Sequence, residues 1–379
     1  MKIGLITFHF AYNYGAVLQA WAMQTHLESL GHEVLIIDYR PQYHTERYGV
    51  TRSLRVTARN LNIKYPKRYL RIAKGVLGTA LENLQLYDTR KNKRELFEGF
   101  INENLKTTSA CYTLNDIEHV ANQFDMLIAG SDQIWNASLT NRAFDDAYFL
   151  QFGKSDCKRI IYATSIGETM PMLCIEHVNK LRYQLNAISC REARDAVALG
   201  QMLNDKIECV PDPTILLESS LYEKLDIHQD KQSEYVLLYV LTPNKILEQK
   251  AKQLAKNGRQ VISISPIRIN AKGVKSIYPV SPTSFLSMIA NAEMVLTNSF
   301  HGTSFSIIFE KQFVVGVHGK RNERLENLLS VVGLNERLVS TANGLEEIIQ
   351  KTINYKAVRT SLENYRLIGK SFIENKITT

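Results

Sequence analysis

The length and composition of the chain favour a folded protein of two domains. At 379 residues it exceeds one ordinary domain, and two domains of roughly 150–200 residues are expected. Its 45% hydrophobic and 22% charged residues exclude a disordered chain, and the lack of any run of about 18 apolar residues excludes a membrane-spanning helix. The opening segment MKIGLITFHF predicts a first strand rather than a signal peptide.

The cysteine content indicates the cellular compartment of the protein, and its charge indicates the kind of partner it binds. Five cysteines without CxxC spacing indicate reduced thiols in a cytoplasmic protein, and Cys190 and Cys209 lie in apolar runs typical of a core. The net charge of +8 favours anionic partners. It is concentrated between Arg40 and Arg94, where fourteen Lys and Arg stand against three Asp and Glu.

The first part of the chain alternates between strand and helix patterns. KIGLIT predicts a strand, GAVLQAWAMQTHLESLG an amphipathic helix that ends at Gly31, and HEVLIIDYR the next strand. One helix between two strands favours a right-handed crossover and a parallel sheet. A basic insert of several helices is predicted from about 42 to 105, after which FDMLIAG, KRIIYATSIG, NAISC and IECV continue the sheet.

A second series of strands and helices follows the polar linker LESSLYEKLDIHQDKQSE. EYVLLYVL, RQVISIS, EMVLTNS and QFVVGVH predict strands, and a last helix over 356–379 is expected to pack back on the first half. We therefore predict an α/β protein with two Rossmann-like, doubly wound parallel-sheet domains facing a cleft, residues 1–217 on the acceptor side and 232–355 on the donor side. In such sheets ligands bind at the carboxyl ends of the strands, and helix N-termini attract anions.

Three loops of the first half are predicted to reach this cleft with isolated functional residues. Asn13 and Gly15 open a helix, where they either approach a ligand or form a plain N-cap and tight turn. Glu168 follows a strand and is either a base or a first-turn helix residue. Arg191 ends the AISC strand and is predicted to bind a carboxylate or phosphate, the alternative being a surface ion pair.

The segment GSDQIWN is denser in polar groups than a helix cap requires. A set of side chains suited to sugar hydroxyls follows the buried strand: Ser131, Asp132, Gln133 and Asn136. Trp135 would offer a stacking face for the sugar. The alternative is a capped helix start with Trp135 in the core.

Two loops of the second half carry the strongest candidates. VLTNSFHGTS places Asn298, Ser299 and His301 at the positive end of a helix, where the histidine is suited to holding an anion or moving a proton. VVGVHGKRNER places Lys320 and Arg321 beyond the next strand, as a phosphate site or as a solvated charge cluster. We predict no metal site and no cofactor, since HExxH, Walker, GxSxG and GxGxxG patterns are absent from the sequence.

Taken in order, NYGAVLQ, GSDQIWN, SIGE, CREARDA, VPDP and NSFHG resemble the polysaccharide pyruvyl transferase family, over roughly residues 3 to 325. The resemblance implies a fold similar to the GT-B glycosyltransferases and transfer of the enolpyruvyl carbons of phosphoenolpyruvate to a sugar as a pyruvate ketal. It makes His301 the cleft histidine, Arg191 the donor-binding arginine and Lys320 the downstream lysine. Many members have arginine where this chain has Ser299, so that Lys320, Arg321 or Arg268 substitutes or the donor differs.

Two other functions remain open at this stage. One is glycosyl transfer from a nucleotide sugar on the same architecture. The other is a non-enzymatic basic adaptor for a membrane surface or nucleic acid, although residues 40–94 contain no recognised nucleic-acid motif. We expect no nucleic-acid partner, and we expect the basic insert to reach a lipid-linked acceptor at the inner face of the membrane.

Overall fold

The computed structural model describes residues 1–51, 66–140, 143–167, 172–227, 234–267, 269, 272–317 and 322–378, with side chains omitted at 66–75 and 172–175. The described residues form two six-stranded sheets. The strands of the first sheet are β1 (Lys2–Ile6), β2 (Glu33–Ile36), β3 (Met126–Ala129), β4 (Lys158–Thr164), β5 (Ala187–Cys190) and β6 (Glu208–Cys209). Those of the second sheet are β7 (Tyr235–Tyr239), β8 (Gln260–Ser263), β9 (Val274–Ser276), β10 (Met294–Thr297), β11 (Gln312–Gly316) and β12 (Leu338–Val339).

Helices surround both sheets. Those of the first half are α1 (Tyr14–Ser29), α2 (Gln42–Tyr48), α3 (Pro66–Asn104), α4 (Leu114–Ala121), α5 (Met172–Leu181), α6 (Ala193–Leu203), α7 (Pro213–Leu216) and α8 (Ser219–Tyr222). Those of the second half are α9 (Lys245–Lys256), α10 (Pro282–Asn291), α11 (Phe300–Ile308), α12 (Glu323–Val331), α13 (Leu345–Gln350) and α14 (Tyr355–Thr378).

The strand orders are β2-β1-β3-β4-β5-β6 and β12-β11-β10-β7-β8-β9, and every pairing between these strands is parallel. The apolar runs that predicted the strands are buried on both faces, as parallel sheets covered by helices require. The predicted α/β class with two Rossmann-like sheets is confirmed. In each sheet the order in which strands are added reverses between two central strands. These are β1 and β3 in the first sheet and β7 and β10 in the second.

The two halves pack directly on one another. Tyr14, the first residue of α1, stacks on Phe285 of the second half with 4.3 Å between ring centroids, and its hydroxyl donates to the carbonyl of Val280 at 3.1 Å. Helix α14 returns to the first half, where the Arg366 guanidinium donates to the carbonyl of Ile215 at 2.8 Å. These contacts hold the carboxyl edges of the two sheets towards a shared cleft.

The basic insert differs from the several helices that we expected. Its last two predicted helices form one continuous helix, α3, of 39 residues. Their junction contains no glycine or proline, so helical hydrogen bonding continues across it. Residues 52–65 lie outside the described ranges. Phe97 and Phe100 anchor the end of α3 in the core, whereas residues 76–95 are exposed or half-buried. None of the helices in the described ranges combines the length and apolar character needed to cross a bilayer.

Candidate active site

A cavity of about 220 Å³ lies where the central strands of the two sheets end. Its lining comes from the loops after β1, β3, β7 and β10, from α2 and from the starts of α1, α11 and α12. The lining residues are Phe8, Ala11, Asn13, Ala16, Tyr48, Asp132, Gln133, Leu139, Leu241, Asn298, Ser299, Phe300, His301, Arg324 and Leu325. Ligands of doubly wound sheets bind at this switch in strand direction, and here the switch points of both sheets face the same cavity. The topology therefore places the candidate site independently of any motif.

His301 lies in the first turn of α11, at the positive end of that helix. Ser299 caps the helix, since its hydroxyl oxygen accepts a hydrogen bond from the backbone N–H of Gly302 at 3.2 Å. The imidazole is 7% exposed, and its Nε2 lies 3.7 Å from the Asp212 carboxylate. Among the described residues no group hydrogen-bonds to Nε2. A buried ring nitrogen without a protein partner at a cavity wall is suited to contact a ligand.

Gly15 lies directly against His301. A methyl group added at Gly15 would come within 1.8 Å of the histidine Nδ1. The carboxamide of Asn13 accepts hydrogen bonds from the backbone N–H groups of Gly15 and Ala16, at 3.0 and 3.4 Å, and so caps α1. Asn13 thus combines the structural cap with a place in the cavity lining, and the glycine is needed to accommodate the imidazole from the other half.

Arg191 is buried below the cavity rather than part of its lining. Its side chain is 2% exposed and donates to Asp212 at 2.6 Å and to Glu192 at 3.2 Å, with Asp132 at 3.7 Å. The guanidinium also lies over the ring of Phe300, 4.7 Å from its centroid. The alternative, a surface ion pair with Glu192 or Asp195, is right about the pairing with Glu192 but wrong about its place, since the pair is buried. A direct role in donor binding stays a prediction.

Asp212 connects these groups, and sequence reasoning did not select it as a functional residue. Its fully buried carboxylate accepts from Arg191, from the Ser131 hydroxyl at 3.2 Å and from the backbone of Thr214 at 3.0 Å. Burial raises the pKa of Asp212, but the contacts with His301 and Arg191 outweigh it and hold the pKa well below its ordinary value. The one available signal was its position in VPDP, a segment that the resemblance already included.

The GSDQIWN segment divides between the cavity and the core. Asp132 and Gln133 line the cavity, whereas Ser131 is buried and donates to the carbonyl of Ala163 at 2.9 Å. Asn136 is also buried, and its carboxamide lies 2.7 Å from that of Gln133. The expected stacking face at Trp135 is wrong.

Trp135 belongs to the core because its indole is fully buried. The ring stacks on Phe149 at 4.8 Å, and its N–H donates to the carbonyl of Tyr148 at 3.1 Å. Because the ring is fully buried and its N–H is already hydrogen-bonded, neither face of the indole can stack on a sugar.

Asn298 joins two loops of the second half at the cavity. Its carboxamide accepts from the backbone N–H of Leu241 at 2.8 Å and donates to the carbonyl of Thr242 at 3.0 Å. Asn298 therefore holds the loop after β7 against the loop after β10.

Arg324 was missed at the sequence level, since it lies inside a helical pattern rather than beside a glycine. It is in the first turn of α12, lines the cavity, and has a guanidinium nitrogen 2.9 Å from the Gln133 carboxamide. Glu168, Lys320, Arg321 and Arg268 lie outside the described residues. Within the described ranges, no three His, Cys, Asp or Glu side chains are grouped as a metal ion would need.

The sequence model of the polysaccharide pyruvyl transferase family matches residues 13–316, which cover most of the chain and both halves of the cavity. The protein belongs to this family. It is therefore a transferase, and the ordered motifs that suggested the family are confirmed as a guide to it. No curated protein matches the sequence.

Solved structures share the architecture at low sequence identity. The S. aureus MnaA–UDP co-structure has 11% identity and a TM-score of 0.50, and the match covers 100% of this chain and 98% of that one. The UDP-GlcNAc 2-epimerase from Neisseria meningitidis, bound to UDP-GlcNAc, has 12% identity and a TM-score of 0.49, with 100% of each chain covered. At this level of sequence identity, the similarity between these solved structures and the present chain shows a shared fold alone.

Proposed function

We propose that this protein transfers the pyruvyl group of phosphoenolpyruvate to a sugar of a bacterial surface polysaccharide, such as a capsule or cell-wall glycan, or of its precursor, forming a pyruvate ketal. The observation that carries the proposal is His301, which lines the cavity at the positive end of α11 and whose Nε2 makes no hydrogen bond to a described residue. The family assignment supports a pyruvyl transferase, and the cavity supplies a place for the reaction.

The chemistry requires one proton at the outset. In the proposed reaction His301 donates a proton to the methylene carbon of phosphoenolpyruvate, and the adjacent carbon becomes oxocarbenium-like. One sugar hydroxyl adds to that carbon, phosphate departs, and a second hydroxyl adds to close the ketal. Of the two hydroxyl protons released, one returns to the imidazole and the other leaves with the phosphate. No oxidant, metal or cofactor is needed for this balance.

An ionised carboxylate lies beside His301. The pKa of Asp212 is held well below its ordinary value, and the carboxylate lies 3.7 Å from the imidazole Nε2. Arg191 holds that carboxylate from the other side at 2.6 Å. We assign the acceptor side to Asp132 and Gln133 of the first half, whose side chains line the cavity and match sugar hydroxyls.

The two candidate donors differ in size. Phosphoenolpyruvate is a three-carbon acid with one phosphate, whereas a nucleotide sugar is several times larger. Glycosyl transfer from a nucleotide sugar is the competing function, and the first experiment separates the two.

Thermal or chemical unfolding with candidate donors tests the proposal. Phosphoenolpyruvate at about 100 times its dissociation constant is expected to add about 2.7 kcal/mol to the free energy of unfolding. Inorganic phosphate and pyruvate at the same concentration serve as controls and are expected to add less. Stabilisation by UDP-GlcNAc with none by phosphoenolpyruvate would overturn pyruvyl transfer in favour of a nucleotide-sugar donor.

We further infer that the protein works at the cytoplasmic face of the membrane on a lipid-linked acceptor. Three leucines spaced by four and three residues on the early turns of α3 are exposed, Leu77 by 62%, Leu81 by 50% and Leu84 by 78%. The sequence just before them, KYPKRYLRIAK, is rich in Lys and Arg and contains no Asp or Glu. Exposed leucines beside basic residues are typical of helices that lie on anionic lipid.

Co-sedimentation with vesicles tests the membrane contact. The wild-type protein is expected to sediment with vesicles that contain anionic lipid at low salt, and less so at high salt. Serine at all three leucine positions is expected to reduce the bound fraction, while Val197→Ser, at another exposed apolar residue, serves as the matched control. Failure of the wild type to bind at low salt would exclude this contact.

A further inference from the structure

Tyr48 is the least buried of the Phe and Tyr side chains among the described residues that line the cavity. It ends α2 and is half-buried, whereas Phe8 and Phe300 are only 2% and 7% exposed. The Arg191 guanidinium lies over the ring of Phe300, and Phe8 packs on the His44 ring with 4.8 Å between centroids. Of these three rings at the cavity, Tyr48 therefore has the most surface left for a ligand.

The position of the Tyr48 ring is fixed by the contacts of α2. The fully buried His44 imidazole donates from Nε2 to the carbonyl of Leu139 at 3.1 Å. The Arg47 guanidinium donates to the carbonyl of Ser138 at 3.3 Å. Both carbonyls belong to the loop after β3, which also lines the cavity with polar side chains. The contacts therefore hold the aromatic ring and those polar groups in one fixed arrangement.

A carboxylate and a carboxamide from that loop, those of Asp132 and Gln133, line the cavity together with the ring. Burial raises the pKa of Tyr48, Arg47 opposes this, and the Asp132 carboxylate raises the pKa further. The phenol is therefore uncharged at neutral pH and lies within the electrostatic reach of Asp132. A pyranose presents C–H groups on its faces and hydroxyls along its edge, so a neutral aromatic ring beside polar acceptors matches both parts.

We propose that Tyr48 stacks on the acceptor, and that the acceptor is a pyranose with a face of C–H groups turned towards the tyrosine. The inference rests on the proposed function, because it presumes that a sugar binds in the same cavity as the donor. Asp132 and Gln133 bind hydroxyls at the edge of that sugar, while two others remain free for ketal formation. Tyr48 thus takes the stacking role that the sequence assigned to Trp135.

Saturation-transfer difference NMR tests the stacking on the protein with its natural sequence. Methyl β-D-glucopyranoside and methyl β-D-galactopyranoside, which differ only in the orientation of one hydroxyl, are the probes, with and without phosphoenolpyruvate. Saturation of the aromatic protons of the protein is expected to reach the ring C–H protons of the probe. Deuterating the tyrosine rings should remove most of this transfer, since Tyr48 is the one tyrosine among the described lining residues. Deuterating the phenylalanine rings should remove little of it.

Tyr48→Leu, Tyr48→Phe and Tyr112→Leu give the kinetic test, with the glycoside that the wild type uses better as acceptor. Tyr48→Leu removes the ring and is expected to raise the acceptor KM about 3- to 10-fold. The KM for phosphoenolpyruvate should change little. Tyr48→Phe keeps the ring and should stay close to the wild type. Tyr112 is 57% exposed and does not line the cavity, so Tyr112→Leu is the matched control.

Tyr48→Leu with the acceptor KM of the wild type, at equal secondary structure by circular dichroism, would overturn the stacking role alone. Equal losses in Tyr48→Leu and Tyr48→Phe would contradict it as well, because the hydroxyl rather than the ring would then bind the acceptor. A wild type that phosphoenolpyruvate stabilises, but that transfers saturation to neither glycoside, would exclude the pyranose acceptor and leave the donor standing. Absence of phosphoenolpyruvate binding by the wild type would overturn the proposed function, and this inference with it.

Discussion

Replacing His301 with alanine is expected to lower kcat by about 10²–10⁴-fold, because the variant lacks the group proposed to protonate the donor. The imidazole lines the cavity, and its Nε2 makes no hydrogen bond to a described residue, with the Asp212 carboxylate 3.7 Å away. The KM for phosphoenolpyruvate should change much less than kcat, since the rest of the cavity lining is retained. His301→Gln keeps a hydrogen-bonding side chain but cannot act as a general acid, so we expect a similar loss of kcat. The measurement is steady-state release of phosphate with a sugar acceptor.

Gly15→Ala is expected to displace the His301 imidazole without removing it, and so to lower kcat as well. The added methyl would lie 1.8 Å from His301 Nδ1, so the ring must move away from its present place. A shift of about 1 Å in a catalytic group can cost about 100-fold in rate. Gly78→Ala is the matched control, because that glycine is exposed on α3 with nothing within 4 Å of the added atom. Full activity in His301→Ala would remove the proposed role of the imidazole.

Asp212→Ala is expected to have the largest effect on stability, about 3–5 kcal/mol in the free energy of unfolding. The substitution removes the carboxylate 2.6 Å from the buried Arg191, together with its hydrogen bond from the Ser131 hydroxyl and its N-cap at the start of α7. Urea unfolding followed by circular dichroism measures the loss. Glu192→Gln is the graded comparison, since Glu192 contacts the same guanidinium at 3.2 Å. A smaller loss for Asp212→Ala than for Glu192→Gln would contradict this ranking.

The same aspartate predicts a specific pH dependence. Its pKa is held below the ordinary value in the folded state, so its stabilising contribution is complete above about pH 4, the pKa of aspartate in an unfolded chain. As the pH falls from there towards the lowered pKa, the unfolded state binds the proton first and the contribution decreases. Asp212→Asn should therefore lose less stability than the wild type on acidification below about pH 4. Parallel profiles would show that Asp212 does not carry this dependence.

How far the sequence predicted the site can be judged from particular segments. The loops containing Asn13, Asp132 and His301 were expected at the cleft, and all three reach the same cavity. Trp135 was misplaced, because an indole that follows polar residues on a loop looks the same in sequence whether it packs inwards or outwards. Its N–H bond to Tyr148 and its stacking on Phe149 exist only once the loop has folded.

The sequence by itself determined the class of fold and the loops that carry polar groups. Strand and helix periodicity arises from backbone geometry within a few residues, so short apolar runs and helical patterns were sufficient to place most elements. The order of the motifs was likewise readable along the chain, and the family followed from it.

Only the tertiary structure decided which of those groups act together. His301, Asp212 and Arg191 come from separate elements, and Gly15 meets the imidazole from the other half of the protein. Arg324 gained its place in the cavity through the docking of α12 against the first half. The physical reason is that burial and opposing charge act through space: two sheets must pack before a carboxylate can be desolvated between a guanidinium and an imidazole, and no local pattern encodes that meeting.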